Sequence, residues 1–289
     1  SYTPFIITKS MKIFFLGIAG TFMGNLAQMA KNQGHEVLGV DDKVYAPMSE
    51  ELESAGINFF EGYTSNNYRN ADLYVIGNTI SRNNEILEHI LKHKNKIISG
   101  PEWLYKNVLN DKKVIAVSGT HGKTSVTSMI AHALTDNGEN PSYLIAGIPK
   151  GFNKSWDLTE SDYFVIEADE YDTAFFDKKP KFFHYKPDIL IINNIEFDHA
   201  DIYKNIEEIE KNFIDLIEGL PKESKIYINS SGISQSFLET IKENIKIKAK
   251  IEIFNADAKD IYEINRNITV KGLQEIISAG KVRESLNSY

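Results

Sequence analysis

A glycine-rich loop, VSGTHGKTS at Val117 to Ser125, lies between an apolar strand-like run, Lys113 to Val117, and a segment of helical spacing, Lys123 to Leu134, that stops at Asn137 and Gly138. A strand that feeds a helix through glycines calls for a sheet with crossover helices. It also aims the first amides of the helix at one spot where a polyphosphate can sit. Gly119 and Gly122 permit close backbone approach, Lys123 supplies a point charge for the terminal phosphates, and Thr124 offers a hydroxyl to magnesium. Thr120, His121 and Ser125 complete the expected ATP-binding set. The spacing departs from the standard phosphate loop, since Gly119 stands three positions before Gly122 rather than four. A glycine-rich helix start with an ordinary surface lysine is the competing reading. It fits a bare GKT better than one flanked by strand and helix.

The same alternation runs along the chain. Strand patterns at Lys12 to Leu16, Glu36 to Val40, Leu73 to Ile76 and Lys96 to Ile98 are interleaved with helical patterns at Phe22 to Lys31 and Asn84 to His93. After Asp111 the pattern restarts, with near-continuous apolar runs at Tyr163 to Ile166 and Ile189 to Ile192 of the kind buried on both faces of a parallel sheet. Helices at Ile206 to Ile217 and Ser234 to Asn244 separate later strands at Lys225 to Ile228 and Ile247 to Phe254, the last read as an edge blunted by lysines. The expected fold class is α/β: an N-terminal Rossmann-like parallel-sheet domain at 11–109, followed by a P-loop-type α/β central domain at 110–289.

Composition narrows the function classes. A net charge of -8 argues against a general nucleic-acid surface, so any anionic ligand must be held locally. The absence of cysteine excludes disulfides and thiolate metal sites and is compatible with a reducing cytoplasm. No stretch approaches the roughly 18–20 apolar residues that span a bilayer, so a soluble, cytoplasmic chain without membrane partners is expected. Lys12 with the apolar run to Gly20 imitates a signal peptide, but it continues into a second strand and reads better as a βαβ unit. Residues Ser1 to Ser10 precede Met11 and read as an extension.

GIAGTFMG at Gly17 to Gly24 also follows a strand and opens a helix, with Asp41 about twenty residues beyond. Alone it suggests a dinucleotide, although its G-x-x-G-x-x-x-G spacing is not G-x-G-x-x-G. Asp41 is placed to meet a ribose or uracil, or to cap a loop; Asn78, after the strand at Leu73 to Ile76, is a further candidate. Glu167 ends an apolar strand on the side where open α/β sheets bind ligands, and with Thr124 it makes a chemically adequate magnesium site. Asp169, Glu170, Asp172 and Asp198 crowd the same strand ends, where most would serve as solvated loop acids. A single histidine such as His199 is, on its own, more readily a structural side chain.

The shortened loop GTHGKTS, VIEADEYDTAFFDKK from Val165 and NNIEFDHADIY from Asn193 resemble the Mur ligase family, as do GIAGTFMG, VYAPMS at 44–49 and SGPEWL at 99–104. The resemblance covers about Met11 to Gly232. It implies an ATP- and Mg2+-dependent ligase that activates the lactyl carboxylate of UDP-N-acetylmuramate as an acyl phosphate for attack by an amine. The strings EADEYDTAFFDKK and GTFMG resemble the branch that attaches the tripeptide L-Ala-γ-D-Glu-meso-diaminopimelate in peptidoglycan recycling; the branch that adds L-alanine to the same sugar is the alternative. By the same resemblance the catalytic residues are Lys123, Glu167 and His199, the metal ligands Thr124, Glu167 and His199, the histidine helping to hold a second ion, and the UDP-sugar contacts Gly17, Ile18, Ala19, Gly20, Thr21, Phe22, Met23, Asp41, Asn78 and Asn194, the last being alternatively a residue that supports the site without touching substrate. Tyr45, Pro47 and Met48 resemble a loop that closes on the sugar nucleotide, although a surface turn would look the same. Some relatives carry a carbamylated lysine on the helix where Lys211 stands, and nothing in this sequence supports that modification.

A third domain for the amino substrate, and the histidine-asparagine motif before it, are not seen after Gly232. The chain is therefore expected to bind nucleotides without completing ligation unaided. Two other readings compete: a non-catalytic nucleotide-binding fragment, and a nicotinamide-dependent oxidoreductase that would leave the GTHGKTS loop without a purpose.

Overall fold

The computed structural model describes residues 9–169, 172–174, 176–196 and 206–255. The chain divides into two compact units, Ser1–Asn107 with Asp172–Lys179, and Val108–Tyr171 with Pro180–Tyr289.

The first unit is built on a five-stranded parallel sheet in the order β3-β2-β1-β4-β5. Its elements are β1 (Lys12–Leu16), α1 (Thr21–Asn32), β2 (Glu36–Asp41), α2 (Met48–Ser54), β3 (Asn58–Glu61), β4 (Leu73–Ile76), α3 (Glu85–Lys92), β5 (Ile97–Ser99) and α4 (Gly100–Asn107). Phe14, Leu16, Val40, Tyr74 and Ile76 from its central strands form a core with Ile86, Leu87 and Ile90 of α3. Strand β1 is the pivot of the order, with β2 on one side and β4 on the other. The turn that follows it is therefore at the reversal point where α/β sheets bind ligands. Close packing at that turn explains Gly39: a Cβ there would lie 2.5 Å from Ile18 Cδ1 and 2.7 Å from the Phe15 carbonyl oxygen. In the segment read from sequence as a closing loop or a surface turn, Tyr45 and Pro47 stand in an exposed turn and Met48 opens α2. Tyr45 is exposed, whereas Met48 is buried with its sulfur 3.8 Å from Gln28 Nε2.

The second unit carries β6 (Lys113–Ser118), α5 (Lys123–Asp136), β7 (Ser142–Leu144), β8 (Trp156–Asp157) and β9 (Tyr163–Glu167). A two-stranded ribbon, β10 (Asp172–Ala174) and β11 (Asp177–Pro180), comes next in the chain, its described residues falling mostly with the first unit. Then follow α6 (Phe182–Tyr185), β12 (Ile189–Ile192), α7 (Ile206–Gly219), β13 (Lys225–Asn229), α8 (Gln235–Glu243) and β14 (Lys250–Phe254). The sheet order is β14-β13-β12-β6-β9-β7-β8, parallel except for the β7–β8 pair. Its central runs are apolar because helices cover the sheet: Ile115, Val117, Val165 and Ile191 pack with Val126, Ile130, Ala131 and Leu134 of α5. Strand β6 again marks the reversal, with β9 and β12 as its neighbours. Strand β14 starts at Lys250, three residues later than the expected start at Ile247, and stands at the sheet edge among the described residues. Among the described residues no helix is long and apolar enough to cross a membrane.

Candidate functional site

The phosphate loop leaves β6 at Ser118, a residue fully buried with its hydroxyl donating to the Ala168 carbonyl at 3.0 Å. Register puts Val117 opposite Glu167 on β9 and Ser118 opposite Ile192 on β12, so three strand ends converge on the loop. Gly119 at φ 146° and Gly122 at φ 78° both adopt left-handed backbone, which favours glycine. Space is a second reason: a Cβ on Gly119 would stand 3.1 Å from the Asn194 amide nitrogen, and one on Gly122 3.1 Å from Asn193 Nδ2. Helix α5 then starts at Lys123 with no side chain capping it, so its first-turn amides face outward as a positive helix end.

Thr124 Oγ1 donates to Glu167 Oε1 at 2.7 Å, and the other carboxylate oxygen of Glu167 accepts from the Ala146 amide. Burial pushes the Glu167 carboxyl above the ordinary range, opposed by the two hydrogen bonds it accepts. Lys123 Nζ donates to the Gly119 carbonyl at 2.8 Å and lies 3.6 Å from Asp169 Oδ1. Asp169 is not the solvated loop acid the sequence suggests. Lys181 Nζ stands 3.6 Å from its other oxygen, so the carboxylate is shared between two lysines whose side chains are largely buried. Lys181 is indistinguishable in the sequence from the surface lysines beside it.

Asn194, read from the sequence as a sugar-nucleotide contact or as a residue supporting the site, has its carboxamide paired with the loop. Its Oδ1 accepts from the His121 amide at 2.8 Å and its Nδ2 donates to the His121 carbonyl at 2.9 Å. Asn193 reinforces it, with Nδ2 donating to the same carbonyl at 3.2 Å. His199, Glu170 and Asp198 lie outside the described residues, as does the side chain of Asp172. Lys211 is exposed on α7. Among the described residues no three His, Asp or Glu side chains gather into a metal-holding group. A hard cation that keeps waters and takes substrate phosphates needs only one or two protein oxygens, and the adjoining Thr124 hydroxyl and Glu167 carboxylate fit that donor set.

In the first unit the glycine turn is held from both sides. Gly17, at φ 88°, donates its amide to the Val40 carbonyl at 2.9 Å, and the Ala19 amide donates to Asp41 Oδ2 at 2.9 Å. Tyr63, which the sequence did not single out, donates its hydroxyl to Asp41 Oδ1 at 3.0 Å. Burial raises the Tyr63 hydroxyl's pKa, aided by the neighbouring Asp41 charge, so it remains a donor. Ile18 and Met23 are buried in the core, so any ligand contact of theirs runs through the main chain. Thr21, Gly20 and Asn78 are exposed, with Ala19 and Phe22 half-buried.

Comparison with known proteins gives this geometry its context. Residues 12–111 match the family described as "Mur ligase family, catalytic domain", and residues 117–282 match "Mur ligase middle domain". The chain is 48% identical over 217 residues to the UDP-N-acetylmuramate–L-alanyl-γ-D-glutamyl-meso-2,6-diaminoheptandioate ligase of Escherichia coli (strain K12); the match covers 75% of this chain and 48% of that protein. It is 31% identical to the UDP-N-acetylmuramate–L-alanine ligase of Clostridium acetobutylicum, over 93% of this chain and 61% of that one. The crystal structure of UDP-N-acetylmuramate:L-alanyl-γ-D-glutamyl-meso-diaminopimelate ligase from Neisseria meningitides superposes with a TM-score of 0.79 at 43% identity, covering 85% of this chain and 78% of that one. The matched region is thus about half the length of the Escherichia coli relative. With both units matched in sequence and a solved relative sharing the fold, the chain belongs to the Mur ligase family.

Proposed function

We propose that this chain provides the nucleotide-binding units of a ligase that joins L-Ala-γ-D-Glu-meso-diaminopimelate to UDP-N-acetylmuramate at the expense of ATP, in the cytoplasm. The observation that carries the reading is the Lys123, Thr124 and Glu167 constellation at the uncapped start of α5. The tripeptide is favoured over L-alanine by the 48% identity to a tripeptide ligase against 31% to an alanine ligase.

In this reading residues 110–289 take ATP, with Gly122, Lys123, Thr124 and Ser125 at the phosphates, and residues 11–109 take the UDP-sugar at the Gly17 to Met23 turn with Asp41 and Asn78. The outward amides of α5 hold the polyphosphate. Lys123, now resting on the Gly119 carbonyl and beside Asp169, swings to the terminal phosphate and offsets charge as it transfers. The lactyl carboxylate oxygen attacks the γ-phosphorus and the β–γ bridge breaks, giving ADP and an acyl phosphate, which the amine then converts to amide and phosphate. Thr124 and Glu167 would hold Mg2+, which supplies charge neutralisation between the two anions. His199 is proposed to help hold a second ion.

Calorimetric titration tests this reading. UDP-N-acetylmuramate and Mg–ATP should each bind the purified chain at one site without displacing the other. Binding of NAD, or displacement of one nucleotide by the other, would contradict it.

A further inference from the structure

The segment after β12 runs along the phosphate loop residue by residue. Thr120 donates its amide to the Asn194 carbonyl at 3.2 Å, and the Thr120 hydroxyl accepts from the Glu196 amide at 2.8 Å. The Asn194 carboxamide takes both the amide and the carbonyl of His121. Beneath it, Asn193 is buried, its Oδ1 accepting from the buried Asn229 Nδ2 at 3.3 Å. Gly232 lets this layer close: a Cβ there would sit 2.4 Å from the Asn193 carbonyl oxygen and 2.7 Å from Asn194 Cβ.

Two consequences follow. The amides of Thr120 and His121 are already engaged, so they are poor candidates for phosphate contacts, which leaves the anion to the amides at the start of α5. And His121, one of the two loop residues between the left-handed glycines, is gripped at both of its polar main-chain atoms. Freezing a residue costs backbone entropy. A clamp that meets this cost during folding spares it when nucleotide binds.

We infer that Asn194, backed by Asn193 and Asn229, is a positioning residue for the nucleotide: it presets the phosphate loop by clamping the His121 main chain, and does not serve as a sugar contact. This inference rests on the proposed ATP site, and its test separates the two. Amide hydrogen exchange on the ligand-free chain reads the clamp directly. His121 is protected in the wild type and loses protection in Asn194→Ala; Asn194→Asp, which keeps the acceptor for the His121 amide but turns the donor to its carbonyl into a repelling oxygen, loses part of it and secures the comparison should the alanine variant fold poorly. Calorimetry then gives Asn194→Ala about tenfold weaker Mg–ATP binding, the equivalent of one lost net hydrogen bond, with UDP-N-acetylmuramate affinity unchanged. Unaltered His121 exchange, unaltered ATP affinity, or a loss confined to the sugar nucleotide overturns the clamp. Failure of the wild type to bind Mg–ATP overturns the proposed function instead, while the exchange result still decides whether Asn194 holds the loop.

Discussion

Thr124 and Glu167 are 43 residues apart in the chain, yet the hydroxyl of one donates to the carboxylate of the other at 2.7 Å. The contact joins the first turn of α5 to the end of β9 and assembles two oxygen donors where neither element could supply both. Replacing Glu167 by Gln leaves the fold intact but removes the charge a hard cation needs. The Mg2+ dependence of ATP binding should weaken by at least about tenfold, since even groups one step further from a metal are worth ~10–100-fold in affinity. Titrating Mg2+ at fixed ATP measures this, and an unchanged Mg2+ midpoint would remove Glu167 from the site.

Gly39 tests how closely the first glycine turn packs. With Ile18 Cδ1 and the Phe15 carbonyl both within 2.7 Å of an added Cβ, Gly39→Ala forces the turn and β2 apart. A loss of about 1–3 kcal/mol is expected, the usual range for overpacking. Chemical denaturation reads it, and full stability in the variant would mean that the approach is looser than described.

His35 gives the chain a pH-dependent stability. It is buried with Nδ1 accepting from the Met11 amide at 3.1 Å, and burial lowers its pKa from 6.5. Below 6.5 the unfolded chain binds the proton first, so this contribution is complete above that pH and is lost as pH falls towards the depressed folded value. The loss is at most about 1.4 kcal/mol per pH unit. Unfolding free energies of wild type and His35→Gln at pH 7.5 and 5.5 should diverge in this sense; parallel curves would exclude it.

Much of this architecture was legible in the sequence because strands buried on both faces read as continuous apolar runs, such as Ile189 to Ile192, and helices as 3.6-residue periods. The short pieces were not. Strands β7 and β8 and helix α6 have two to four residues each, too few to show a period, and are fixed by partners distant in sequence. At the site, Lys123, Thr124 and Glu167 stood out because strand ends and helix starts can be located from pattern alone. Asn193, Asn229 and Lys181 did not, since their partners come from other elements. A buried asparagine closing an apolar strand was the one available hint, because such a group demands a partner.

Tyr63 belongs to the same class of hidden partner. Tyr63→Phe leaves Asp41 holding the Ala19 amide but without its second side-chain support, at a cost of about 1.5–3 kcal/mol for a hydrogen bond to a charged group. UDP-N-acetylmuramate affinity should fall several-fold while Mg–ATP affinity holds. Equal losses for both ligands would mean that the substitution acts on stability alone.

The central claim is that ATP and the sugar nucleotide occupy separate strand-to-helix junctions. Its most direct test is calorimetric titration of both ligands into Lys123→Ala. Mg–ATP binding should be at least about tenfold weaker, the loss of one charge-assisted phosphate contact, with UDP-N-acetylmuramate binding unchanged. Undiminished ATP binding, or a matching loss for the sugar nucleotide, would contradict it.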